Sequence, residues 1–515
     1  MHAMRGYAGR DATLPGAKAG GQRRRAMFAA GHPLCGPADS GGKGPLSQVR
    51  HPQHFRMRSK RRSGCTRRFL SCATERKRDA LRPAAMPSKA KSPLGVIFLT
   101  IFVSMVGFGI VIPVLPVYAK NEPFQMNPTQ LGWLTGIFSL VQLFAAPLIG
   151  KISDRIGRKP VLLVSVIGTA VGYFITGFAG APWMLFLGRI IDGASGGNIA
   201  TAQACIADVT KPEERSKAMG IIGAAFGLGF MMGPAIGGLL STISHAAPFH
   251  FAGALSVLNA VLVVASLPET LSAEKRAHPT QKLPLGEVFA GGRGPFISLL
   301  LAAALISTTG FAFIHVLFAL FCGDHFGWTV KQTGYAFAYI GFLAVLVQGG
   351  LLRRLLKPGM DGARTIEKTI TVAGCAVLAL GLWMLPRIPS GDLGLWPFLG
   401  ICALIALGNG LATPTLTGMA SRHVHGRAQG RVLGLMAAAG SFGRFLGPAL
   451  AVLPLPANFS ELPRPLSPSA QAIVSHGYQT AFSAAAALIA VATVCALLLP
   501  VPKEDLVEAE PAPMV

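Results

Sequence analysis

Gly150-Lys151-Ile152-Ser153-Asp154-Arg155-Ile156-Gly157-Arg158-Lys159-Pro160 lies between two apolar runs, 129–150 and 160–180. Each run matches the ~20 residues a helix needs to cross a ~30 Å hydrocarbon core. The stretch therefore reads as a charged, glycine-bearing hairpin between two membrane helices. Lys151, Arg155, Arg158 and Lys159 put four cations in one short loop, which marks the cytoplasmic face.

Outward from the hairpin, the same pattern recurs. Hydrophobic residues make up 51% of the 515 and charged residues only 13%, against about 25% charged in soluble domains. Twelve apolar segments follow Pro93: 93–116, 129–150, 160–180, 182–207, 216–241, 250–267, 294–321, 332–353, 366–386, 394–419, 429–453 and 477–500. An all-α integral membrane fold is expected. Counting to within three residues of each segment end, the loops after the even-numbered segments carry 19 Lys and Arg, against four (Lys120, Lys331, Arg387, Arg464) for the loops after the odd-numbered ones. By the positive-inside rule both termini are cytoplasmic.

The net charge of +25 is unevenly spread. Residues 1–91 hold 21 Lys and Arg against four Asp and Glu, in a Gly/Pro/Arg-rich stretch without apolar periodicity. Such a composition does not bury enough surface to order itself. The stretch reads as a start-site artefact ahead of Met86, ahead of a transit peptide and, last, a nucleic-acid or lipid-binding arm. The expected organisation is leader 1–91, six-helix bundle 92–267, cytoplasmic linker 268–293, six-helix bundle 294–502 and tail 503–515.

An internal repeat supports the two bundles. Gly196, Gly220, Gly229, Gly233 and Pro234 match Gly410, Gly434, Gly443, Gly447 and Pro448 at one offset of 214 residues. Six segments separate the copies, so both have the same orientation. Secondary transporters built from parallel repeats hold their substrate between the halves.

The spacing G-x-x-x-D-R-x-G-R-K at 150–159 resembles the loop between helices 2 and 3 of the major facilitator superfamily. The resemblance implies a conformational latch of Gly150, Asp154, Arg155, Gly157, Arg158 and Lys159 with Asp208 at the end of segment 4. It would hold the two halves together on the cytoplasmic side. Read from the residues alone, a carboxylate such as Asp154 suits the N-terminus of a facing helix, and the charges could equally do no more than fix topology.

Segment 4 contains Gly188-Arg189-Ile190-Ile191-Asp192-Gly193. On one continuous helix, Arg189, Asp192, Gly196, Ile199 and Gln203 share a face. An ionisable pair inside a membrane helix is costly and marks a functional position. Arg189 matches the family's helix-4 arginine, which implies proton coupling with Asp192 as the exchanging acid. A static salt bridge weighs equally. Segment 5 reads Gly229-x-x-x-Gly233-Pro234-x-x-Gly237-Gly238, and small residues at this spacing let helix backbones approach. With Gly107-Phe108-Gly109 and Pro113 to Pro116 in segment 1, it resembles the twelve-helix drug:proton antiporters, including TetA-type tetracycline-efflux pumps. One departure stands out. Those pumps carry Asp about three residues before the Gly-x-Gly, and Ser104 stands here.

Polar residues within the apolar segments are Gln142, Asn198, Gln203, Thr308, His315, Gln348 and Asn409, with Phe311 beside the Thr308–His315 face. They are taken as a substrate cavity, although each alone suits an interhelical hydrogen bond. Arg444 is a further charge without an assigned role. His423 and His425 lack the further ligands a metal site requires. There is no Walker sequence, H-E-x-x-H or G-x-S-x-G. The expectation is a monomeric, non-enzymatic antiporter of the bacterial inner membrane. It would use the proton gradient rather than a cofactor, and would expel a hydrophobic or amphipathic small molecule. A facilitator or importer on the same fold is the alternative.

Overall fold

The computed structural model describes residues 93–210, 212–272, 276, 286, 289, 294–356, 363–391, 394–422, 427–462 and 466–500. The leader, the tail, most of the 268–293 linker and the His423/His425 pair lie outside the described residues. Every regular element described is helical: α1 (Pro93–Lys120), α2 (Pro128–Ile156), α3 (Arg158–Gly177), α4 in two pieces (Pro182–Ala194 and Asn198–Val209), α5 (Pro212–Leu240), α6 (Ala247–Ser266), α7 in two pieces (Gly294–Ala312 and Ile314–Phe326), α8 (Val330–Leu346, continued by a π-helical turn Val347–Leu351 and Leu352–Leu355), α9 (Ala363–Met384), α10 (Leu395–Arg422), α11 (Arg427–Ala451) and α12 (Pro468–Leu498).

Eleven spans among the described residues are long and apolar enough to cross a membrane. The twelfth apolar segment, α4, falls short of that length because it breaks at Ser195-Gly196-Gly197. The break lies where α4 packs closely against α2. A Cβ on Gly197 would sit 2.5 Å from Ile149, and one on Gly193 would sit 2.6 Å from the Phe138 carbonyl. Gln142 Nε2 then donates to the freed Gly196 carbonyl at 3.0 Å. A side chain from a neighbouring helix thus satisfies the broken backbone, as interrupted membrane helices require. The expected single face of Arg189, Asp192, Gly196, Ile199 and Gln203 is corrected by this break. Arg189 and Asp192 are buried, Gly196 forms the turn and Gln203 is exposed.

The glycine repeat has matching packing in the two halves. Gly229, Gly233 and Gly237 of α5 lie against Met105, Val106–Gly109 and Ile110 of α1, where added Cβ atoms would meet neighbours at 2.4–3.0 Å. Gly443 and Gly447 of α11 lie in the same way against Leu305–Thr309 and Ala312 of α7. Both α2 and α8 begin with a capping box, Asn127 with Gln130 and Thr329 with Gln332.

The halves meet at the end opposite the 150–160 hairpin. Gly132 of α2 abuts the Pro448 carbonyl of α11, and Gly238 of α5 abuts Val330–Lys331 of α8. Lys120 Nζ is 3.2 Å from Asp324 Oδ1, and Ser460 Oγ donates to the Met126 carbonyl. Both are links between α1–α6 and the chain beyond Gly294.

Candidate functional site

Between the halves lies a small cleft lined from both of them. Helix α1 lines it with Phe108, Val111, Ile112, Leu115 and Pro116, and α2 adds Thr135, Phe138 and Ser139. Arg189, His315 and Arg444 enter from α4, α7 and α11. The Phe108 ring centroid stands 5.9 Å from that of Phe138 and 6.4 Å from that of His315. The walls are therefore aromatic and aliphatic, with a few polar groups converging on them, which is the usual make-up of a small-molecule site.

Arg189 and Asp192 are held in place by backbone proximity. Gly172 of α3 has no room for a side chain because the Gly188 carbonyl and Asp192 Cβ press on it, at 2.7 and 3.0 Å from where its Cβ would be. Arg189 Nη1 then donates to Asp192 Oδ2 at 3.0 Å. The guanidinium lies over the Phe138 ring, 4.5 Å from its centroid, a geometry with cation–π attraction. Both residues are only 4% exposed.

Most of the polar residues expected in the cavity are engaged elsewhere. His315 lines it, and Phe311 packs on His315 with centroids 6.0 Å apart. Thr308 packs on Gly443 instead, and the break of α7 at Phe313 separates it from the His315 face. Gln142 serves the α4 break. Asn198 Nδ2 donates to Ser104 Oγ at 3.0 Å, so Ser104 links α1 to α4. Asn409 Oδ1 accepts from Thr413 within α10. Gln203 and Gln348 are exposed, the latter on the π-helical turn of α8. Sequence reasoning missed Phe108, Phe138, Ser139 and Thr135, because residues of this kind are common throughout the chain.

The hairpin cluster forms, with one addition. Arg158 Nη1 lies 2.7 Å from Asp154 Oδ1, and its Nε lies 3.0 Å from Asp208 Oδ2. Ser153 Oγ accepts a further Nη1 bond at 2.7 Å. These bonds tie α2, α3 and α4 together within the first half. Glu269 is a carboxylate at the N-terminus of α3. Its oxygens accept from the Arg158 and Lys159 N–H groups at 2.9 and 3.2 Å. Burial pushes the Glu269 carboxyl up. The N–H donors of Leu271, Arg158 and Lys159, together with Arg276, outweigh this and hold it below the usual carboxylate range. Gly157 adopts φ +123°, and a Cβ there would lie 2.5 Å from Glu269 Oε2, so both backbone and space require glycine. Lys159 Nζ caps the Val264 carbonyl near the end of α6 at 2.8 Å. Arg155 is exposed, and nothing lies within 4 Å of a Cβ on Gly150.

At the opposite end Asp324 also accepts from Tyr478 Oη at 2.7 Å, and Lys120 lies 4.2 Å from the centre of the Phe459 ring. The sequence gives little warning of this cluster, whose members come from α1, α7, α12 and the chain before α12.

Residues 97–448 match the Major Facilitator Superfamily. The chain belongs to that superfamily. It is 34% identical to the class C tetracycline resistance protein of Escherichia coli, over 70% of this chain and 89% of that one. It is 29% identical to multidrug resistance protein 2 of Bacillus subtilis (strain 168), over 69% and 86%. Among solved structures it superimposes on a bacterial homologue of the human lysosomal transporter Spinster, in an inward-facing, unoccupied conformation. The TM-score is 0.64 at 18% identity, covering 81% of this chain and 98% of the other. The major facilitator fold and a multi-pass membrane protein follow.

Proposed function

We propose that this major facilitator protein is an inner-membrane antiporter. It exports a hydrophobic or amphipathic, drug-sized molecule in exchange for protons, and works as a monomer. The observation that carries the reading is the aromatic cavity between the halves, which abuts the buried Arg189–Asp192 pair. The names of its tetracycline- and multidrug-resistance relatives support export as the direction.

With both termini cytoplasmic, as this reading holds, the end at which the halves are joined is the outer one, and the carrier opens inward. Substrate enters from the cytoplasm and stacks on Phe108 and Phe138. Asp192 is the acid that gains and loses the proton. Its ionised form is stabilised by Arg189, whereas its neutral form suits the low-dielectric site. The Arg158 cluster stiffens the α2–α3–α4 corner that must move as a unit when the cytoplasmic side closes.

Expression in a bacterial strain lacking its own efflux pumps tests the reading. Cells should accumulate several-fold less tetracycline than control cells, and an uncoupler should abolish the difference. Equal accumulation, with the protein present in the membrane, would contradict it.

A further inference from the structure

Arg444 is a cation at the cavity wall without a counter-ion. Its Nη2 donates to Ser441 Oγ at 2.9 Å, a neutral partner one turn earlier on α11. Among the described residues no carboxylate lies within 4 Å of it. The other charged group on the wall, Arg189, is neutralised by Asp192. His315 is the remaining ionisable lining residue, and it is not an acid. The wall thus presents one uncompensated positive charge among aromatic and aliphatic surfaces. Within a membrane protein an unpaired guanidinium is costly unless a ligand completes it.

From this cavity the geometry points to a substrate class: amphipathic aromatic molecules carrying an acidic group, whose anion is held by Arg444 while the rings stack on Phe108 and Phe138. The inference rests on the export reading and narrows it. The bond to Ser441 anchors one end of the guanidinium fork and leaves its other donors for a planar anion, the geometry in which arginine binds carboxylates best. A purely cationic molecule would meet repulsion from Arg444 and would find no acid on the wall, Asp192 lying behind it and paired with Arg189.

The test uses two dyes with one ring system: rhodamine B, which carries a free carboxylate, and its ethyl ester, which does not. Binding to the purified full-length protein is read by fluorescence anisotropy, and export is read in everted membrane vesicles. The wild-type protein should bind the acid about tenfold or more tightly than the ester, as expected for a charge-assisted hydrogen bond. Arg444→Gln should remove that preference by weakening the acid alone, and Arg444→Lys should keep part of it. If Arg444→Gln fails to accumulate, the wild-type preference and the Arg444→Lys variant decide. Equal binding of acid and ester by the wild type, or equal weakening of both by Arg444→Gln, overturns the anion site while leaving drug export standing. Failure of the wild type to bind or export either dye overturns both.

Discussion

Lys120 Nζ lies 3.2 Å from Asp324 Oδ1, joining the last turn of α1 to the last turn of α7 across the two halves. The pair lies at the end away from the hairpin and is largely buried, with side chains 12% and 8% exposed. It therefore stabilises whichever conformation is closed at that end, and has no reason to persist when the end opens.

Asp324→Asn should shift the protein toward the state open at that end. Spin labels at the exposed Ser244 and Ser390, on opposite halves, should report a longer or broader distance distribution than in the unmutated background. The charge swap Lys120→Asp with Asp324→Lys should restore part of the closed population. An unchanged distribution in Asp324→Asn would show that the pair does not set the equilibrium.

The Arg158 cluster predicts non-additive behaviour. Asp154→Asn or Asp208→Asn alone leaves Arg158 one carboxylate, so folded yield should hold while turnover falls several-fold. The double variant strips the guanidinium of both. Stripping a largely buried guanidinium of its partners costs up to about 3–5 kcal/mol, less the share that the part-exposed Asp154 contributes, and yield should drop. Additive, mild losses of yield would contradict the shared role of Arg158.

Glu269 makes a prediction in pH. Its carboxyl titrates below the usual range in the folded protein, so its stabilisation is fully present above the unfolded pKa and is lost as pH falls through the folded one. Glu269→Gln should lower the apparent melting temperature near neutrality, consistent with about 0.5–1 kcal/mol for a charge at a helix N-terminus. The gap between the two proteins should close in acid. A gap that stays constant with pH would assign the effect to packing.

How legible the molecule was in its sequence depended on whether a feature was local. The apolar runs, the hairpin and the α5 glycines are local patterns, and the structure follows them to within a few residues at most ends. The buried Arg189–Asp192 pair is also local, three residues apart on one helix. The break in α4 was not legible, because Gly196-Gly197 is tolerated in many continuous membrane helices and its packing against Ile149 and Gln142 of α2 depends on tertiary contact. Lys120 and Asp324 lie 204 residues apart, and Arg158 and Glu269 lie 111 apart, so their pairing depended on helix order around the bundle. Polarity was a poor guide to the cavity. Gln142 and Asn198 satisfy other protein groups, whereas the walls come from apolar residues of α1 and α2.

The central claim is that protons drive export through Asp192, and proteoliposomes with an imposed pH gradient test it most directly. Uptake of tetracycline should be measured for wild type and Asp192→Asn together with detergent-solubilised yield. The account predicts gradient-driven accumulation by the wild type. For Asp192→Asn it predicts a near-normal yield, loss of uphill transport and retained downhill exchange. A sharp loss of folded protein would instead make Asp192 the structural partner of Arg189. Normal yield with undiminished gradient-driven uptake would contradict the account.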